Sequence, residues 1–296
     1  MPTKEKYIDL LTDFGFKKLF GTKANEDLLI DFLNQILPPS RQIQKINFSK
    51  NEQLGESEFD RIAIFDIFCQ GENGEEFIVE IQRQRQLFFK DRSILYSTFP
   101  IQQNAKKGKK WNFELPPIYT IALLDFVFDE YKDDPNYIHH IELKDKNGKV
   151  FYNKLKYIYI ELPKFTKKLE ELETHFEKWL FVLRWINKLQ KRPRALQERI
   201  FKKIFTMAEI AKYDKKERAR YDRIIKQHRD SSNVLEYAVN EGIEKGIEKG
   251  RERGREEQLF LTIQNALKAD FSLAQISIIT NLSIEKLEEI IQAQKW

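Results

Sequence analysis

Asp66 and Glu80 are the residues of this chain best placed to do chemistry. They fall in Arg61 to Gln82, RIAIFDIFCQGENGEEFIVEIQ, where two runs of β-branched, aromatic and aliphatic residues, Ile62 to Cys69 and Phe77 to Ile81, flank the turn signal Gly71-Glu72-Asn73-Gly74. The pattern predicts a tight β-hairpin. Side chains alternate along a strand, so Glu80 and Gln82 share one face of the second strand while Phe77, Val79 and Ile81 share the other. Asp66 sits in the middle of an otherwise apolar first strand, where an unpaired buried carboxylate is costly. A divalent cation shared with Glu80 would offset that cost. Hard oxygen ligands, few in number and leaving room for water and a phosphate, suit Mg²⁺ or Mn²⁺ better than zinc. By spacing alone, D-x13-E-x-Q is a loose pattern, shared with strand glutamates on solvated faces and with turn-forming aspartates. Asp60 has the parity of Asp66 but stands at the strand entrance beside Glu56 and Glu58, and reads as solvated.

The elements that would position this pair are legible on either side. Asp13 is expected to cap a short helix, Phe14 to Phe20, with a carboxylate near the metal as the other reading. Asn25 is expected to cap a helix carrying Leu28, Leu29, Phe32, Leu33 and Ile36 at helical spacing, stopped by Pro38-Pro39. Gln42 to Ser49 reads as a first strand. Leu87 to Lys107 reads as a helix in which Pro100 implies a kink or break. Pro117 to Phe128 is a continuous apolar run of strand length, expected to be covered on both faces. Tyr137 to Leu143 and Val150 to Ile160 read as two more strands. The expected class is therefore α/β, a mixed sheet flanked by helices. From Thr166 to Trp296 the periodicity is helical throughout, with breaks near Pro193, Asp214 and Asp230.

The order Asp66, hairpin, Glu80-Ile81-Gln82 resembles the PD-(D/E)XK nuclease core, in particular the recombination-promoting nuclease and transposase family (Rpn). Thr12-Asp13-Phe14-Gly15-Phe16-Lys17-Lys18-Leu19-Phe20-Gly21 resembles that family's opening segment, and Val79 with its neighbours, IVEIQ, resembles its core strand. Phe89 to Tyr96 and then Pro116-Pro117-Ile118-Tyr119 resemble the stretch that follows. The resemblance covers roughly the first two thirds of the chain. It implies a restriction-endonuclease-like core and a DNA substrate. It also implies Mg²⁺ as cofactor, with Mn²⁺ or Ca²⁺ as substitutes, and neither an organic cofactor nor a membrane. Carried onto this chain, Asp66, Glu80 and the main-chain carbonyl of Ile81 would hold the metal, and Gln82 would position the attacking water. Gln82 stands where the motif has lysine, which removes a positive charge and is the main support for the competing reading, a non-catalytic DNA-binding or interaction protein of the same fold.

Composition agrees with a soluble, cytoplasmic protein of two or three units. The 296 residues exceed the usual span of one core. A single cysteine, Cys69, excludes an intramolecular disulfide. No apolar stretch approaches bilayer length, and MPTKEKYIDLLTDF has no signal-peptide core. The four histidines show no ligand or triad spacing.

Other residues suit nucleic acid. Arg92 and Tyr96 are four apart, hence on one helix face, and either is a candidate contact for a scissile phosphate. Lys106, Lys107, Lys109 and Lys110 beside Trp111 form a basic run suited to backbone contact and stacking. A surface cation packed on an aromatic, and a solvated charge run, are the plainer readings. From Arg184 to Arg229 there are 16 lysines and arginines against 5 acidic residues, while the whole chain carries +5. Leu196, Ile200, Ile204 and Met207 make this region amphipathic. It reads as a DNA-tracking surface or as an ordinary helical face.

The expected division is a nuclease core over 1–163, a basic helical region over 164–240, a charged glycine-stripe helix over 241–258 and a small helical domain over 259–296. In EGIEKGIEKGRERG, Gly242, Gly246, Gly250 and Gly254 recur every four residues. Each costs a helix about 1 kcal/mol against alanine, so the stripe marks a close helix partner, as in a homo-oligomer, or a flexible tether. Leu259 to Ala269, Leu273 to Thr280 and Ser283 to Gln292 read as three short helices. The last two resemble a helix-turn-helix, or else a mini-bundle that caps an oligomer.

Overall fold

The computed structural model describes residues 5–49, 52–53, 63–105 and 113–294. At its centre is a mixed six-stranded sheet in the order β1 (Ile46–Phe48), β4 (Ile67–Gly71), β5 (Glu76–Gln82), β6 (Ile118–Leu124), β8 (Val150–Glu161), β7 (Ile138–Lys144). The pairs β5/β6 and β6/β8 are parallel and the rest antiparallel. The short strands β2 (Glu52–Gln53) and β3 (Ala63–Ile64) pair with each other apart from this sheet. All seven residues of β6 are buried, as its unbroken apolar run requires of a strand with both faces covered.

Alternation along the strands sorts side chains into two layers. Phe77, Val79, Tyr119, Ile121, Leu123, Ile158 and Ile160 face one core with the helices α1 (Asp13–Phe20), α2 (Glu26–Ile36), α4 (His175–Trp185) and α5 (Arg199–Ala208). There the Trp179 ring lies 5.5–5.7 Å from those of Phe20, Phe32 and Phe201, and its indole N–H donates to Asp31 at 2.6 Å. On the opposite face lies α3 (Phe89–Ala105), where the hydroxyls of Ser93 and Ser97 meet those of Tyr159 and Tyr157 at 2.6 and 2.7 Å. This helix runs through Pro100 without breaking, at the loss of one backbone donor.

The chain folds as two compact units, Met1–Ile225 and Lys226–Trp296. Helices α4 and α5 thus share the core of the sheet, and much of the basic region does internal work. Arg184 donates to the carbonyls of Leu162 and Phe165 at 2.7 and 2.5 Å, and Lys203 binds the Asp27 carboxylate. The chain shows no break at Asp230. Helix α6 (Lys215–Lys268) takes in all four glycines of the stripe and the segment expected as the first short C-terminal helix. An added Cβ at any of those glycines would meet nothing within 4 Å. In the second unit the last turns of α6 close over Ile263 and Ala266 with α7 (Leu273–Thr280) and α8 (Ile284–Gln294), which contribute Ile276 and Leu287. Asn281, at φ 57°, ends α7 in the left-handed conformation that asparagine tolerates. Among the described residues no helix is long and apolar enough to cross a membrane.

The N-terminal turn is tightly built. Thr12, rather than the expected Asp13, caps α1: its hydroxyl accepts from the Gly15 amide at 3.0 Å and donates to the Asp9 carbonyl at 2.7 Å. A Cβ on Gly15 would lie 2.2 Å from that same carbonyl oxygen. Gly15→Ala is therefore expected to destabilise the protein by about 3 kcal/mol, read as a lowered midpoint in urea with an unchanged slope.

Candidate active site

The hairpin ladder stops one residue short of Asp66. Ile67 pairs with Val79, and β3 ends at Ile64, so Asp66 lies in a break between two strands rather than in the middle of one. Its side chain completes the pattern that the backbone leaves. The Ile81 amide donates to Asp66 Oδ2 at 2.8 Å, and the Asp66 amide donates to Glu80 Oε1 at 3.1 Å. The two carboxylates are thus joined through each other's neighbouring backbone at the C-terminal end of β5, the end of a parallel strand at which open α/β sheets bind ligands. Glu80 is 8 % exposed.

The electrostatics follow from this placement. Burial raises the Asp66 carboxyl above its ordinary value, against the pull of the Ile81 amide and the Lys17 cation. Burial raises the Glu80 carboxyl as well, with the Asp66 charge adding to it. Lys17 Nζ is 3.8 Å from Asp66 Oδ1 and 2.5 Å from Asp13, which brings α1 to the site. Lys17 was missed in the sequence, although its i,i+4 relation to Asp13 was there to read. Two apposed, buried carboxylates, each made costly as an anion by its surroundings, are the donor set that a hard divalent cation fits. Along an extended strand the N–H and C=O of one residue point to the same edge, so the Ile81 carbonyl faces the side from which its amide meets Asp66. Among the described residues no group of three or more His, Cys, Asp or Glu side chains is arranged to hold a metal. Two carboxylates and one carbonyl would therefore leave the remaining positions to water and substrate.

Gln82, also 8 % exposed, points to the same face as Glu80. Both ends of its amide are engaged: Nε2 donates to the Gln84 carbonyl at 2.6 Å, and Oε1 accepts from Arg92 Nη2 at 2.6 Å. Arg92 Nη1 also donates to Gln86, and the guanidinium lies 5.3 and 5.7 Å from the ring centres of Phe89 and Tyr96. Tyr96 packs edge-on against Phe65, and burial, followed by the Glu80 charge, raises its phenol. The structure thus gathers Asp66, Glu80, Gln82, Arg92 and Tyr96 in one place. Lys106, Lys107, Lys109 and Lys110, with Trp111, lie outside the described residues, as do Asp60, Glu56 and Glu58. Cys69 is buried and its thiol pushed up to about 12, which leaves it inert at neutral pH. His139 and His175 are held by Glu161 and Asp31 at 3.1 and 2.7 Å.

No curated protein and no solved structure matches the chain significantly. A family model does, the PD-(D/E)XK nuclease family transposase, over residues 10–238. That span takes in the capped turn before α1, the whole sheet and the joined carboxylates. The motif in its name calls for a carboxylate, one residue of any kind and a lysine, and Glu80-Ile81-Gln82 meets it except at the last place. With more than three quarters of its length matched and the mixed sheet in place around Asp66 and Glu80, the chain belongs to the PD-(D/E)XK nuclease family transposases.

Proposed function

We propose that the protein is a divalent-metal-dependent DNA endonuclease acting in the cytoplasm, in recombination, mobile-element movement or defence against foreign DNA. The observation that carries this reading is the backbone-joined Asp66–Glu80 pair at the end of β5. Asp66, Glu80 and the Ile81 carbonyl would hold Mg²⁺, for which Mn²⁺ or Ca²⁺ could substitute. When bound, the ion lowers the pKa of a coordinated water and neutralises charge that develops on the phosphoryl oxygens. Asp66 and Glu80, rather than Gln82, whose amide is engaged with Gln84 and Arg92, would direct the attacking water toward phosphorus. As the water oxygen bonds to phosphorus, the bond to the leaving ester oxygen breaks; the attacking water gives up a proton to solvent, and the leaving oxygen takes a proton from solvent to depart as an alcohol. Burial around Glu80 limits competing water and strengthens each electrostatic contact.

Incubation of supercoiled plasmid with the purified protein in Mg²⁺, Mn²⁺ or EDTA tests the proposal. Nicked or linear product with either metal and none in EDTA is the expected result. DNA binding without cleavage in every condition would favour the non-catalytic reading for which Gln82 speaks.

We also propose that the protein self-associates through its C-terminal helices, with the glycine stripe of α6 as the contact. The open space around those four glycines supports this. Replacing Gly242, Gly246, Gly250 and Gly254 together by leucine is expected to lower the molar mass seen by light scattering toward the 35.5 kDa of one chain. An unchanged mass at matched concentration would favour a tether.

A further inference from the structure

Among the described residues, the cations of α1, of the segment after β5 and of α3 differ in how they are held. Lys17 is bound to Asp13, Arg83 to Asp9 at 2.9 Å, Arg85 to Asp129 and Lys90 to Glu130. Each of those charges is offset by a carboxylate. Arg92 alone in this group is held by two neutral amides, Gln82 and Gln86, and is framed by the rings of Phe89 and Tyr96. Neutral acceptors fix the direction of a guanidinium without cancelling its charge. Its charge stands beside the site, since the Gln82 carbonyl that holds it lies two residues from Glu80 on the same strand face. Gln82, for its part, spends its carbonyl on Arg92 and its NH₂ on the chain at Gln84, so it acts as a bracket.

We propose that Arg92, positioned by Gln82, supplies from α3 the positive charge that the lysine of the motif would supply from β5, and that it contacts the scissile phosphate as charge develops on its oxygens. Gln82 is then a positioning residue and Arg92 the catalytic one. The substitution of lysine by glutamine is on this account compensated: a lysine at position 82 would drive Arg92 away by like-charge repulsion, whereas glutamine holds it. A fork of donors also suits a phosphate better than a point charge does. Lys17, neutralised by Asp13 and on the Asp66 side, is the weaker candidate.

The inference rests on the nuclease reading, and the experiment separates the two. Single-turnover plasmid cleavage at saturating protein with Mg²⁺ is measured for wild type, Arg92→Gln, Arg92→Met, Lys17→Met, Gln82→Lys and the Gln82→Lys/Arg92→Met double variant, each shown folded by its thermal melt. DNA affinity is followed in EDTA across a salt series. Loss of Arg92 as either Gln or Met is expected to slow cleavage about 100-fold or more at saturation, and to reduce the salt dependence of binding by about one unit of slope, the value for one lost phosphate contact. Gln82→Lys/Arg92→Met is expected to cleave at least about tenfold faster than Arg92→Met, a non-additivity that a merely structural role would not give. Cleavage by both Arg92 variants within about threefold of wild type, less than 1 kcal/mol of barrier, overturns the inference. So does a loss confined to affinity, a double variant no faster than Arg92→Met, or a larger loss in Lys17→Met. A wild type that does not cleave at all overturns the nuclease reading and this inference together.

Discussion

Asp66→Asn and Glu80→Gln each abolish metal-dependent cleavage, with an expected loss of at least about a thousandfold, while the fold and salt-sensitive DNA binding persist. A thousandfold loss corresponds to about 4 kcal/mol of transition-state stabilisation, a reasonable share for one of the two carboxylates proposed to hold the metal. Both substitutions keep the oxygen that the backbone uses. An amide side chain at position 66 would still offer a carbonyl to the Ile81 N–H, and one at position 80 would do the same for the N–H of residue 66. What is removed is charge and ligand strength rather than the local clasp. Quenched plasmid assays, with circular dichroism and a binding isotherm on the same samples, check the prediction. Undiminished cleavage by either purified variant would mean that the acidic pair is structural.

Glu80→Gln should also make the metal-free protein more stable at pH 8. In the folded chain the Glu80 carboxyl is pushed up to about 8 from its ordinary 4.5, by burial first and the Asp66 charge second. Between those values the folded state holds a proton that the unfolded state has released. Stability in EDTA therefore falls as pH rises through that window, and the glutamate becomes a burden at its upper end. An uncharged amide at position 80 escapes this cost. The gain is on the order of 3 kcal/mol at pH 8 and should vanish below pH 4.5, where the wild-type carboxyl is protonated in both states. Thermal melts of both proteins in EDTA at about pH 4 and pH 8 measure it. Saturating Mg²⁺ should reverse the order at the higher pH, since only the wild type gains from binding the ion.

Much of this arrangement was legible in the sequence because strands and turns write short-range patterns. The hairpin, the fully buried β6 and the long strand β8 follow from runs of apolar residues and from a glycine-containing turn, and the common face of Glu80 and Gln82 follows from alternation alone. What escaped depended on contacts between segments far apart. Asp66 was expected inside a strand, because nothing local shows that its side chain would take the Ile81 amide and interrupt the ladder. Thr12 displaced Asp13 as the cap because the Asp9 carbonyl supplies a second partner for its hydroxyl. Lys17 reaches the site only once α1 is laid beside the end of β5. Asp230 suggested a break, and the glycine stripe left a flexible tether as the alternative to a helix, yet α6 is continuous, since its other residues are mostly strong helix formers. Arg92 and Tyr96 were correctly placed on one helix face, but that Gln82 would hold Arg92 has no signal in spacing.

The break in the hairpin has a consequence for how the site is to be watched. In an ordinary ladder the amide of a central strand is protected by the backbone of its neighbour. The Ile81 amide is instead protected by the side chain of Asp66, and the Asp66 amide by the side chain of Glu80. Their exchange with deuterium thus reports the posture of two carboxylates rather than the integrity of the sheet. Asp66→Ala would speed exchange at Ile81 as if the strand had frayed, while Val79, paired with Ile67 in the regular ladder, stays slow. Two adjacent segments of backbone serve in this way as built-in spectators of the acidic centre, readable by nuclear magnetic resonance with no DNA present.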